Sequence, residues 1–598
     1  MKRLALIVLA AFAIGLTADA QQTQPAAPAQ APAGSSVAPI GKGNVAPITA
    51  ASPAPTSAAT QTSPLPKLVE SMEVRIINVD VVVTDRKGKP ITGLTKDDFQ
   101  LFENGTEKPI SNFYEVTSPA TPAKTAPSAA APGVATAPTV SEPIPDNQRR
   151  RIIFYIDNLS LAPFNRNRVF KQMKQFIDEV MRPGDEGMIA TFNRSMKIRM
   201  QFVRDPVALK QTLDVIAGES AMGLSNKSEF KTAEEQMDQA QSYDEALSTA
   251  RTYAESTQHD LRQSVESING LMSTLAGVEG KKILVLTSEG FPMQPGREAF
   301  QYLDDISREK GWTYGSTLME GMGFDSHDQI QSVARTANAN GITLYTIHAG
   351  GLAAGNETSA ENSKPTSFAV SQAAISNSTE SMQTMAEETG GLASLQTNNF
   401  AAAFKRIKED LDSYYSLGYR GGTERVDRQR SLEVRVKNHR NYVVRSRRSF
   451  VEKSTYAEMS DRVIANLLYT SKQNDLHIMV KSDRPRPTEE GYFRVPVDVQ
   501  IPMDSLTFLP LGDTEYAGGF DVYCVVANKE GDMSDVARQS HQIRLTRAEK
   551  PKAAGKFYTY SLDLLMEPGL NRISIGVIDS VSNATGFARD QVLAKDLR

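Results

Sequence analysis

The stretch Arg151–Phe192, RIIFYIDNLSLAPFNRNRVFKQMKQFIDEVMRPGDEGMIATF, decides the fold. Arg151–Ile156 is a continuous apolar run of the kind buried on both faces of a sheet, and it stops at Asp157. Val169, Phe170, Met173, Phe176, Ile177, Val180 and Met181 then recur three and four residues apart, which predicts a helix over Asn165–Met181 with one apolar face. Pro183-Gly184-Asp185 stops that helix, and Gly187–Phe192 reads as the next strand. Strand, amphipathic helix, strand is the unit from which parallel sheets are built.

The alternation continues outward. Ile198–Val203, Lys282–Thr287, Ile342–Ile347, Leu392–Gln396 and Tyr414–Tyr419 read as strands. Pro206–Ile216, Ser256–Leu275, a segment from Ser326 to Asn340-Gly341, Ser381–Thr389 and Phe400–Leu411 read as helices. The expectation over 148–420 is an α/β domain with a mostly parallel sheet and helices on both faces. Ser225–Glu255 is polar with a thin apolar stripe and reads as a helical hairpin or an extended surface helix. Gly351–Asn377 reads as a long flexible loop beside a strand end.

The flanks have a different grammar. Residues 67–116 form a small β segment, with Val- and Ile-rich alternation over Met72–Thr84 and a capping signal at Thr95–Asp98. Asn104-Gly105 marks a hairpin between Phe99–Glu103 and Thr106–Tyr114. Some fifty residues bury too little to stand alone, so this segment is expected to share a sheet with 431–450. Residues 421–454 read as a basic hairpin, Ser431–Val436 against Tyr442–Ser446, an edge whose charge discourages aggregation. Regularly spaced short strands over 455–598 predict an immunoglobulin-like β-sandwich. Residues 21–66 and 117–147 hold 16 of the 31 prolines and read as extended linkers.

Met1-Lys2-Arg3, an apolar run from Leu4 to Leu16 and Thr17-Ala18-Asp19-Ala20 have the layout of a signal peptide cleaved after Ala20. Export to the periplasm or the medium follows, with no apolar run elsewhere long enough to span a bilayer. The chain has 598 residues, with Lys+Arg 66 against Asp+Glu 70 and a net charge of −4, so it carries no basic field to hold nucleic acid. Its one cysteine, Cys524, excludes an internal disulfide framework and cysteine-built metal sites. Serine-hydrolase, zincin and P-loop motifs are missing from the sequence.

The run ending in Asp157-Asn158-Leu159-Ser160, followed by GDEGMIATFN, KKILVLTSEG and ITLYTIHAGG in that order, resembles a von Willebrand factor A domain. The preceding VDVVVTDRKGKPITGLTKDDFQLFENG and the trailing YYSLGYR resemble the exported bacterial subgroup of that family. The resemblance spans residues 68–450 and implies a doubly wound sheet with a Mg²⁺ or Mn²⁺ site above the carboxyl ends of its strands. The family pattern is Asp-x-Ser-x-Ser, a Thr on a second loop and an Asp on a third. Asp157 matches, but Leu159 and Leu161 stand where serines belong, and Thr287-Ser288-Glu289-Gly290 replaces the expected Thr-Asp-Gly. The implied metal ligands are therefore Asp157, Ser160 and Glu289, with Ser256 or Thr257 as a further hydroxyl or merely a helix cap.

The function expected is a non-enzymatic, adhesion-type module that holds an extracytoplasmic protein partner through Asp157, Asn158, Ser160, Ser288, Glu289 and His348. Two alternatives stand beside it. One is a periplasmic hydrolase using Asp157, Glu289 or His348, the other a purely structural envelope protein.

Overall fold

The computed structural model describes residues 76–117, 149–313, 315–352, 367–421, 426–439, 441–469 and 473–595. The signal peptide, the first proline-rich linker and all of the second except Thr117 lie outside the described residues. Residues 62–461 and 462–598 belong to two compact units.

In the first unit, β1 (Ile76–Thr84), β2 (Phe99–Glu103), β3 (Thr106–Lys108) and β4 (Ile110–Thr117) come before the α/β elements. Those are β5 (Arg150–Asp157), α1 (Pro163–Val180), β6 (Glu186–Phe192), β7 (Met196–Val203), α2 (Pro206–Ala217), α3 (Gly223–Gln239), α4 (Tyr243–Thr274) and β8 (Lys281–Ser288). Next come α5 (Arg297–Glu309), α6 (Thr317–Met322), α7 (His327–Ala339), β9 (Ile342–His348), α8 (Phe368–Glu388), β10 (Ala393–Ser394) and α9 (Phe400–Asp412). The unit closes with β11 (Ser413–Arg420), β12 (Gln429–Val436), β13 (Val443–Ser446) and β14 (Ser449–Val451).

The α/β elements build a six-stranded sheet in the order β10-β9-β8-β5-β6-β7. Every pairing is parallel except β6 with β7. From β5 the chain runs outward one way through β6 and β7 and the other way through β8, β9 and β10. The reversal therefore falls between β5 and β8, where open α/β sheets leave a crevice beyond the strand ends. Alternation along β5 divides the layers. Ile152, Phe154 and Ile156 enter a core with α1, α2 and α9, while the hydroxyl of Tyr155, on the other face, lies 3.1 Å from Ser267 of α4.

The polar stretch over 225–255 is a helical hairpin, α3 and the first part of α4. Its core of Ala233, Met237, Ala246, Leu247 and Ala250 packs on Phe300 and Leu303 of α5. One expectation is corrected here. The reading of Gly351–Asn377 as loop fails from Phe368 onward, where α8 begins; Ser367 caps it, its hydroxyl accepting from the Val370 amide at 3.3 Å. Residues 353–366 of that segment lie outside the described residues. Sequence reading also passed over α5 and α6.

The flanking β strands form two four-stranded sheets, β13-β1-β11-β4 and β14-β12-β2-β3. One apolar core lies between them, drawing Val79, Val81 and Val83 together with Leu101, Leu417, Leu432 and Phe450. Ser431–Val436 and Tyr442–Ser446 accordingly do not form the expected hairpin. β12 pairs with β2 and β13 with β1, on opposite sheets. Each strand has its own apolar face to bury, which a free two-stranded ribbon could not do.

In the second unit, α10 (Thr455–Leu468), which begins just before the boundary, is followed by β strands from Met479 to Ala594 in two further sheets, most of them ten or more residues long rather than the short strands expected. Val495, Val497, Val499, Leu562 and Leu564 of one sheet share a core with Phe520, Val522, Ile573, Ile575 and Val577 of the other.

Candidate functional site

The carboxyl ends of β5 and β8 meet at the reversal point. Asp157 follows Ile153 and Tyr155 on the α4 side of the sheet, and Ser288 follows Leu284 and Leu286 on the same side of β8. Asp157 Oδ2 accepts hydrogen bonds from the hydroxyls of Ser160 at 2.7 Å and Ser288 at 2.8 Å. The two hydroxyl oxygens are 2.8 Å apart. The amides of Glu289 and Gly290 donate to Ser160 Oγ and Ser288 Oγ, each at 3.0 Å. Gly290 closes this turn at φ +123°, where a Cβ would lie 2.3 Å from that of Ser378, so only glycine fits.

Asp157 is 2% exposed and its Oδ1 has no hydrogen-bond partner among the described residues. Burial lifts its pKa above the ordinary carboxylate range. The hydroxyls of Ser160 and Ser288 and the amides of Ser160 and Leu159 work against that rise.

Glu289 belongs to a different constellation. Its Oε1 accepts from the Ala162 amide at 2.6 Å and from Asn165 Nδ2 at 3.0 Å, at the start of α1, where the helix dipole favours a negative charge. Its Oε2 pairs with Lys227 Nζ of α3 at 3.0 Å. The side-chain alternation of a strand explains the separation: Ser288, not Glu289, shares the face of Asp157.

Asn158 and His348 complete the residues expected at the site. Asn158 Oδ1 accepts from Arg166 Nη1 at 3.0 Å, and Arg166, 0% exposed, also donates to the carbonyls of Ala217 and Glu219. Desolvation pulls the Arg166 pKa down, and Glu219 opposes it. His348 is paired in register with Ser288 and buried, with Nδ1 unpartnered among the described residues. Burial lowers its pKa, the Glu289 charge and backbone raise it, and Lys227 adds to the lowering. The structure thus gathers Asp157, Ser160 and Ser288 into one cluster, ties Glu289 to it through its backbone, and gives Asn158 to an internal arginine.

Residues that sequence reading passed over sit on top of this cluster. The Met222 and Gly223 amides donate to the carbonyls of Asn158 at 2.8 Å and Leu161 at 3.0 Å, and Asn226 Nδ2 donates to Leu159 O at 3.1 Å. The start of α3 is thereby fastened to the β5–α1 loop. Between them lies a cavity of about 100 Å³ whose lining includes Asp157, Glu229, Tyr253, Thr257, Asp260 and Phe291. Arg166 had a legible signal, a charge three and four residues before Val169 and Phe170 on the apolar stripe. The seat of α3 had none.

Tested against a dication, the donors do not fit. Among the described residues no three His, Cys, Asp or Glu side chains are arranged to hold a metal. Asp157 is the cluster's only carboxylate. Both Glu289 oxygens are engaged by α1 and Lys227, so of the expected ligands Asp157, Ser160 and Glu289 only the first two share a side-chain cluster.

No family model and no curated protein matches this chain. Solved structures do. The vWF domain of the type V pilus tip protein Mfa5 of Porphyromonas gingivalis is 12% identical, with 44% of this chain and 96% of that chain covered and a TM-score of 0.23. BatB of Bacteroides thetaiotaomicron is 10% identical over 44% of this chain and 97% of that chain, with a TM-score of 0.21. Proximal thread matrix protein 1 of the mussel byssus, with a zinc-occupied MIDAS motif, is 11% identical over 46% and 48%, with a TM-score of 0.18. The architecture described above rests on strand order and register.

Proposed function

We propose that this chain is an exported, non-enzymatic, adhesion-type module. In this reading its α/β part is a doubly wound von Willebrand A-like domain, residues 455–598 are a β-sandwich, and the proline-rich segments are spacers. A protein partner docks over the strand ends that carry Asp157, Ser160, Ser288, Glu289 and His348, reaching them through the half-buried Ser160 and Glu289 and the cavity beside Asp157, with Asn158 bracing the loop. The observation that carries the reading is the hydrogen-bonded cluster of Asp157, Ser160 and Ser288 at the reversal point of the sheet, the place where such sheets receive ligands. Its donors do not favour a resident Mg²⁺ or Mn²⁺, so the module works without one. Catalysis is not favoured either, because His348 Nδ1 is hydrogen-bonded to no nucleophile among the described residues.

The test is capture of envelope proteins on the immobilised full chain, with and without chelator, followed by affinity measurement on whatever is retained. Ser160→Val is expected to weaken that affinity at least tenfold, chelator to leave it unchanged, and a substitution on the exposed face of α9, Lys405→Ala, to have no effect. Equal binding by Ser160→Val would remove the rim from the account. Turnover of peptide, ester or glycan substrates that is lost in Asp157→Asn would favour the enzyme reading instead.

A further inference from the structure

The cavity beside Asp157 has a composition that the docking reading does not use. Its lining includes Asp157, whose Oδ1 is buried without a hydrogen-bond partner among the described residues. Asp260 of α4 is half-buried in its wall, and Glu229 of α3 is exposed at its edge. Three acidic residues therefore line one space, one from a strand and two from separate helices. Leu159, Tyr253, Leu261, Phe291 and Pro292 line the rest together with small polar groups, and no lysine or arginine is among the lining residues. A hydrated dication gains nothing from apolar walls and asks for several charged oxygens at one point, which this cavity lacks. An alkyl stem ending in an ammonium matches both features. The methylenes lie along the apolar walls while the three N–H donors meet acceptors in the lining. The rim already holds one such group, the ammonium of Lys227 on Glu289 at 3.0 Å.

We infer that this cavity receives the side-chain ammonium of a lysine presented by the protein partner, with Asp157 and Asp260 as its acceptors and Glu229 guiding its entry. The inference rests on the docking reading and names the chemistry of what docks. It also inverts the logic of a metal-dependent rim, where a bound cation draws in a partner's carboxylate. Here the protein supplies the negative charge and the partner the positive one.

The experiment is saturation-transfer NMR and calorimetry on the full chain with N-acetyl-lysine methylamide, its neutral analogue N-acetyl-norleucine methylamide, n-butylamine and MgCl₂. Saturable binding of the lysine amide and none of the norleucine amide is expected, with at least tenfold weaker binding in both Asp157→Asn and Asp260→Asn. Asp260 on α4 is half-buried where Asp157 is buried, so Asp260→Asn keeps the test readable if Asp157→Asn alters folding. Equal binding of the two amides, or lysine binding indifferent to Asp260→Asn, overturns the inference. So does competitive displacement by Mg²⁺, which would make the cavity a metal site, and tighter binding of n-butylamine than of the lysine amide, which would make it a free-amine site. If the lysine amide fails to bind while Ser160→Val still weakens partner affinity, this inference falls and the docking reading stands.

Discussion

Replacing Gly223 by alanine tests whether the start of α3 is fastened to the site loop. Gly223 does not have the left-handed backbone that glycine alone tolerates, so alanine suits its conformation. The added methyl, however, would lie 2.3 Å from Ser160 O, 2.4 Å from Leu161 C and 2.5 Å from Ala162 N. All three are backbone atoms of the β5–α1 loop, and no rotamer change relieves them. Either the loop or the helix must move, and the hydrogen bonds from Met222, Gly223 and Asn226 to that loop open with it. At roughly 1 kcal/mol for each bond, about 3 kcal/mol of local stability is lost. At about 1.4 kcal/mol for each factor of ten, that corresponds to roughly a hundredfold rise in local opening. Hydrogen–deuterium exchange read by mass spectrometry should show that rise in peptides covering 157–162 and 219–230, with the sheet strands unchanged. Gly218→Ala is the control, because its methyl would meet only Val215 O, at an ordinary 3.6 Å. Wild-type protection in Gly223→Ala would refute the claim that α3 is held down by these contacts.

Three further outcomes follow from the structure. Arg430 pairs with Glu103 at 2.9 Å and Glu452 at 2.8 Å, all three side chains 7% exposed, so Arg430→Met leaves two carboxylates buried without their cation. A loss of about 3–5 kcal/mol is expected on urea unfolding, and a loss under 1 kcal/mol would contradict it. Because burial holds the Asp157 pKa above its unfolded value, its favourable contribution is complete at acid pH and fades as pH rises through the folded pKa. The stability of Asp157→Asn relative to wild type should therefore improve from pH 4 to pH 8; a difference that does not change with pH would refute this. Burial pushes the Cys524 thiol up to about 12, so it should resist a thiol reagent at pH 8 in the folded chain and react once unfolded. Rapid reaction of the folded chain would place that thiol at the surface.

The legible parts were those whose signal is local. The apolar run ending at Asp157 is β5, and the three-and-four spacing from Val169 to Val180 is the buried face of α1. Thr95 and Asp98 close the short turn foreseen there, the Thr95 amide and hydroxyl both donating to Asp98 at 2.7 and 2.8 Å. Asn104 and Gly105, at φ +48° and +77°, make the turn between β2 and β3. The helix α5 was missed although Phe300, Leu303 and Ile306 recur three apart, because its many charges masked the stripe. The start of α8 carried no such pattern, being Ala-, Ser- and Asn-rich.

Local sequence settled most of the strands, helices and turns, α5, α6 and the start of α8 excepted, because periodicity and capping act over a few neighbouring residues. Tertiary structure alone decided which of them meet. It put Ser288 rather than Glu289 beside Asp157, sent β12 and β13 to opposite sheets, and laid α3 over the site to close a cavity. Each of those outcomes depends on strand register or on backbone contacts between residues up to several hundred positions apart. No window of sequence holds both partners of such a contact, so the chemistry of the site exists only once the chain has folded.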